Sequence, residues 1–311
     1  MRSRAVLAYS LLFFFSGATG LIYQLLWVRV LYQSFGSTIQ SITTVVAAYM
    51  GGLGLGAWLF GRFADRSRRP AAVYGWLEVA IGVFGILSPL VLALVHRVYI
   101  AVAGSLELGG TASIALRFGL AAFVLLIPTT LMGGTLPVLT RAFTGDDRAS
   151  LRPSLGRLYG LNTLGAMAGT AIAGFFLIEF VGVRASLWIT ALLNLAIGAV
   201  AIRIGQPTAP AESGPGGAER RPTDHLRTLA LVLLAVTAFA SLLDEIAWTR
   251  VLVMIVGGST YAFTLILLVF LMGIGLGSML VSRRSAARAD TAAAAALAQG
   301  LTGTGAALLF L

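Results

Sequence analysis

The chain is a succession of uncharged, apolar runs of about 20 residues, the length a helix needs to cross a hydrocarbon core of ~30 Å, and short segments between them hold most of its arginines. Nine such runs can be placed, near 6–27, 38–60, 72–95, 116–140, 158–179, 185–202, 228–248, 258–281 and 292–311. With 58% hydrophobic and 11% charged residues and a mean hydropathy of +0.91, the chain lies far from a soluble domain, of which about a quarter is charged. An ordinary cytosolic enzyme is excluded, and the natural solvent is lipid. The first run follows Arg2 and Arg4 as the core of a secretory leader would. Gln24, Trp27 and Arg29 stand where a small-residue cleavage site belongs, so it reads as a retained helix.

A net charge of +10 raises the question of nucleic acid, which the positions of the arginines answer. With a cytoplasmic N-terminus, 17 of the 22 basic residues fall on the inner side, and Arg29, Arg97, Arg117, Arg184 and Arg250 remain outside. Such a bias reports membrane orientation; a nucleic-acid surface needs its basic groups on one continuous face with aromatics for stacking. No nucleic-acid partner is expected. The chain has no cysteine and two histidines, His96 and His225, so disulfides, thiolate chemistry and Cys/His metal sites are not expected. The one long polar stretch, 205–227, carries Pro207, Pro210, Pro215 and Pro222 among glycines. It lacks the apolar surface to order itself and reads as a cytoplasmic linker, dividing a first membrane unit, 1–204, from 228–311.

An internal repeat relates the two parts. An offset of 221 residues aligns Trp27 with Trp248, Arg29 with Arg250, Leu31 with Leu252 and Gly36 with Gly257, and sets Gly52-Leu53-Gly54-Leu55-Gly56 on Gly273-Ile274-Gly275-Leu276-Gly277. Both copies start from the same side, so the repeat is parallel, with six helices per unit related by an axis along the membrane normal. The second unit holds three helices and stops within an apolar run, which implies the front part of a longer protein.

Several residues stand out against this apolar background. The glycines at 52, 54 and 56 imitate a dinucleotide loop, but no strand precedes them; close helix packing is the physical reading, and Gly165 with Gly169 reads the same way. Glu78 lies inside the third run, where a charge costs roughly 2.5–3.5 kcal/mol on insertion scales, so it is expected to be protonated, paired or open to a wet cavity. Proton coupling or cation binding is one role for it, and a hydrogen bond between helices is the other. The fourth run carries Pro128 and Pro137 around Gly133 and Gly134; a broken helix at a transport site and a packing kink are both open. The first and seventh runs end near Trp27 and Arg29, and near Trp248 and Arg250, as interfacial tryptophans with snorkelling arginines would. That account leaves unexplained the adjacent acids Asp244 and Glu245, which in a cavity would complement the amines of a polyamine.

Gly61-Arg62-Phe63-Ala64-Asp65-Arg66 with Arg68-Arg69 resembles the cytoplasmic signature of the major facilitator superfamily, although Arg68 stands where that family has glycine. The resemblance gives Gly61, Asp65 and Arg66 a part in holding one conformation; a solvated positive-inside loop is the alternative. More of the chain resembles the N-terminal membrane region of fused major-facilitator/spermidine-synthase proteins. The likeness is carried by Ser16-Gly17-Ala18-Thr19-Gly20-Leu21-Ile22-Tyr23-Gln24 with Trp27 and Arg29, by Phe35 to Thr38, the Gly-Leu-Gly run, Trp76-Leu77-Glu78, Gly133 to Pro137 and Leu161 to Gly165. Gln24 departs from the family, which has glutamate there; Glu245 keeps the acid in the second copy.

The resemblance implies an all-α polytopic membrane protein with a major-facilitator-like parallel repeat, in a bacterial-type inner membrane. It further implies a transporter-like module of a spermidine-synthase-like protein, with a soluble synthase domain downstream as partner. No cofactor and no catalytic residue is expected in these 311 residues. Candidates for substrate binding or coupling are Glu78, Glu245, Asp244, Gln24, Arg29 and Arg250, with a polyamine or other small cation as ligand. A stand-alone secondary transporter of cations or drugs, and a non-transporting membrane scaffold, are the competing functions.

Overall fold

The computed structural model describes residues 2–35, 38–105, 109–144, 148–204, 224–257 and 259–284, and every regular element among them is helical. Eight helices are long and apolar enough to cross a membrane. They are α1 (Arg2–Phe35), α2 (Thr38–Arg66), α3 (Pro70–Ser105), α4 (Gly110–Thr144), α5 (Arg148–Ile172, continued by a π-helical segment, Ala173–Val181), α6 (Val183–Ile204), α7 (Asp224–Val256) and α8 (Ser259–Arg284). The chain is thus a multi-pass membrane protein. The expected ninth span, 292–311, and linker residues 205–223 lie outside the described residues.

Most helices run longer than the uncharged windows, because boundary arginines and tyrosines continue a helix whose backbone needs internal hydrogen bonds wherever lipid replaces water. The arginines then find aromatic faces on their own helix or on a neighbouring one. The Arg62 guanidinium lies 4.2 Å from the centre of the Trp58 ring, and Arg117 lies over Tyr99 and donates to its hydroxyl at 2.7 Å. The span from 98 to 113, expected as a loop, is mostly helix, with α3 reaching Ser105 and α4 starting at Gly110.

The helices pair chiefly as α1 with α5, α2 with α4 and α3 with α6, and α8 packs on α5. Small residues set the first two pairings. A Cβ on Gly56 would collide with the Thr130 carbonyl oxygen, and one on Gly133 with that of Leu53, so α2 and α4 meet backbone to backbone. Gly165 and Gly169 meet the Phe14 and Ala18 carbonyls of α1 in the same way. Glycine packing is therefore the role of both sequence patterns, as expected where lipid supplies no hydrophobic drive between helices.

Two expectations are corrected. Pro128 and Pro137 do not break α4, which is helical from Gly110 to Thr144 with both inside it; in a bundle neighbouring groups re-satisfy the carbonyls that proline frees. Irregular backbone occurs instead at the end of α5, whose π-helical turns close on Gly182 at φ 83°. Ser186 Oγ donates to the carbonyls of Leu177 and Gly182, covering that end. Nor do α1 and α7 stop near their Trp/Arg pairs. Trp27 is fully buried, stacked on Tyr23 at 5.2 Å and edge-on to Phe84, so it belongs to the core and not to an interfacial belt.

The core is in two parts. Tyr9, Phe13, Tyr74, Val138, Leu139 and Ile197 anchor one apolar cluster, and Leu26, Trp27, Val46, Leu92, Leu125 and Leu187 anchor the other. Along α1, α3 and α4 the residues between them line a cavity.

Candidate functional site

The cavity has a volume of about 750 Å³, within the ~300–1,000 Å³ usual for small-molecule sites. Its wall is mostly apolar and draws on all eight helices. The polar part is small. Several threonine hydroxyls on it are already engaged: Thr19 bonds the Ser16 carbonyl, Thr135 that of Met132 and Thr163 that of Tyr159, each within its own helix.

What remains are polar atoms with nothing to bond. Gln24 on α1 is fully buried, and neither its Oε1 nor its Nε2 has a hydrogen-bond partner among the described residues. Glu245 on α7 is 4% exposed, and its Oε1 is likewise without a partner. Glu245 is also the one charged residue among the described residues of the wall. Buried polar atoms are nearly always satisfied in native structures, which makes these two side chains the candidate ligand contacts of the cavity.

Gln24 and Glu245 occupy equivalent positions of the 221-residue repeat. Further repeat-related positions line the cavity in pairs: Leu21 with Leu242 on α1 and α7, and Tyr49 with Phe270 and Met50 with Leu271 on α2 and α8.

Glu78 is placed differently. It is fully buried on α3 and does not line the cavity. Ser16 Oγ on α1 donates to its Oε1, and Asn194 Nδ2 on α6 donates to its Oε2 at 2.6 Å. Both donors are on the cavity wall, so the carboxyl sits directly behind it, and the Asn194 Oδ1 is left without a partner. Sequence reasoning singled out Glu78 but missed Ser16 and Asn194 as site residues; an asparagine in an apolar run, Leu192-Leu193-Asn194-Leu195, was the available signal.

The other candidates lie apart. Asp244 is partly buried and off the cavity wall, Arg250 is exposed, and Arg29 lies over the Tyr32 ring at 5.7 Å. Gly61, Asp65 and Arg66 form the end of α2, where Asp65 is exposed. Pro128 and Pro137 flank the cavity residues Met132 and Thr135 on α4. No group of three or more metal-ligating side chains occurs among the described residues.

The chain is 26% identical over 189 residues to polyamine aminopropyltransferase 2 of Streptomyces coelicolor. The match covers 61% of this chain but 32% of that protein, so the chain corresponds to about a third of its relative's length. No protein-family model and no solved structure matches it.

Proposed function

We propose that the chain is the membrane-embedded, transporter-like module of a polyamine aminopropyltransferase-related protein, and that its central cavity takes a small organic cation carrying an amine. The carrying observation is the Glu245 carboxyl, 4% exposed, with an oxygen that has no hydrogen-bond partner among the described residues, on the wall of a cavity lined by all eight helices. A carboxylate in an apolar enclosure is costly unless paired, and an ammonium group is the partner that fits. The relative's name supports a polyamine connection.

Two structural readings go with this. The repeat-related pairs on the cavity wall support a parallel repeat of six-helix units, with the cavity on the axis between them, as in the major facilitator superfamily. The arginine distribution supports a cytoplasmic N-terminus in a bacterial-type inner membrane. Glu78, with both oxygens bonded, holds α1, α3 and α6 in register behind the site.

Adjacent residues on a helix point about 100° apart, so Asp244 and Glu245 are separable by mutation. Loss of a charge-assisted hydrogen bond costs roughly 1.5–3 kcal/mol, about ten- to a hundredfold in affinity. Hexylamine binding to the purified protein in detergent is expected to weaken by that much in Glu245→Gln and to change little in Asp244→Asn. Equal small effects, or no binding by the parent protein, would favour a membrane scaffold.

A further inference from the structure

We propose that the ligand of this cavity is asymmetric: a monocation whose single ammonium pairs with Glu245 and whose other end is a neutral hydrogen-bonding group held by Gln24. The proposal rests on the cation-site reading above and narrows the ligand it admits.

Two repeats that enclose one cavity place equivalent side chains at equivalent depths. At this position the two copies have nearly the same shape and differ in charge and in the capacity to donate a hydrogen bond. The site therefore offers one anionic group and, at the related place, one amide able both to donate and to accept. Both side chains are at least nine-tenths buried, and both carry atoms that no protein group satisfies.

Among the described residues, no second carboxylate of the wall is free to take a second ammonium. Glu78 lies behind the wall with each oxygen already bonded, one by Ser16 and one by Asn194. Asp244 is off the wall, and Glu245 is the sole charged residue among the described wall residues. A buried ammonium facing only an amide carries an uncompensated charge, which is costly in a medium of low dielectric constant. A hydroxyl or amide there carries none. The wall also carries Tyr49, Met50, Phe270 and Leu271, which suits an aliphatic body.

Three probes of equal chain length separate the cases: hexylamine, aminohexanol and hexanediamine, measured by calorimetry on the purified protein. Aminohexanol is expected to bind more tightly than hexylamine and at least as tightly as hexanediamine. Gln24→Glu supplies the second carboxylate and is expected to shift the preference toward hexanediamine by about tenfold or more. Gln24→Leu, which buries no new charge, is expected to erase the advantage of aminohexanol over hexylamine. A parent protein that prefers hexanediamine by about tenfold, or a probe ranking unchanged in both Gln24 variants, overturns the asymmetry and leaves the cation site standing. Failure of all three probes to bind the parent, or full binding of all three by Glu245→Gln, overturns the cation site itself and the asymmetry with it.

Discussion

Glu78 and Glu245 are both buried acids in membrane helices, and their surroundings assign them different work. Glu78 accepts from Ser16 and Asn194 and so ties three helices; Glu245, on the cavity wall, has an oxygen with no hydrogen-bond partner among the described residues. Glutamine can replace Glu78 by accepting from Asn194 and donating to the Ser16 hydroxyl, whereas alanine leaves both partners stranded. Each stranded polar group costs about 1–3 kcal/mol. Glu78→Gln is therefore expected to melt in detergent close to the parent protein and to keep hexylamine binding, and Glu78→Ala to melt distinctly lower. If Glu78→Gln instead keeps its melting point and binding but loses every pH-dependent transport activity, Glu78 is a coupling group. The sequence makes both acids conspicuous, since each interrupts an apolar run, but it does not say which one is satisfied. That depends on Ser16 and Asn194, distant in sequence by 62 and 116 residues and joined to Glu78 only through helix register.

At the scale of the helix, glycine spacing was legible in the sequence and proline placement was not. The glycine patterns on α2, α4 and α5 mark faces where carbonyls of a neighbouring helix approach too closely for a side chain. Within one run the positions still differ: a Cβ on Gly54 meets nothing within 4 Å, while one on Gly56 strikes α4. Gly56→Ala and Gly165→Ala are expected to cost about 1–3 kcal/mol through overpacking, lowering the melting temperature, with Gly165→Leu preventing accumulation of folded protein. Gly54→Ala is expected to be neutral or stabilising by up to about 1 kcal/mol, the helix propensity alanine gains over glycine. Equal effects at positions 54 and 56 would contradict this packing. The prolines misled because proline removes a donor without ending a helix whose neighbours pack tightly enough to hold its course. The π-helical end of α5, by contrast, carries no sequence mark stronger than Gly182.

At the scale of the molecule, the apolar runs located all eight described membrane helices, and several side chains 221 residues apart lie on the wall of one cavity. The ends of the helices were misplaced, because a window of uncharged residues stops at the first arginine and a helix does not. The two halves of the orientation argument are testable together. Reporter fusions at Gly216 and in the 106–109 connection between α3 and α4 are expected to report opposite sides of the membrane, with Gly216 cytoplasmic; the same side at both would contradict the order of spans.

The claim that organises the rest is that the cavity between α1 and α7 binds an amine at Glu245. The measurement that bears on it most directly is an anomalous difference map from protein crystallised with a bromine-labelled alkylamine. One bromine peak inside the cavity, with the amine within hydrogen-bonding distance of Glu245 and the peak absent from Glu245→Gln crystals, is the result expected. Peaks confined to the outer, lipid-facing surface of the bundle, or a cavity peak that persists undiminished in Glu245→Gln, would contradict it.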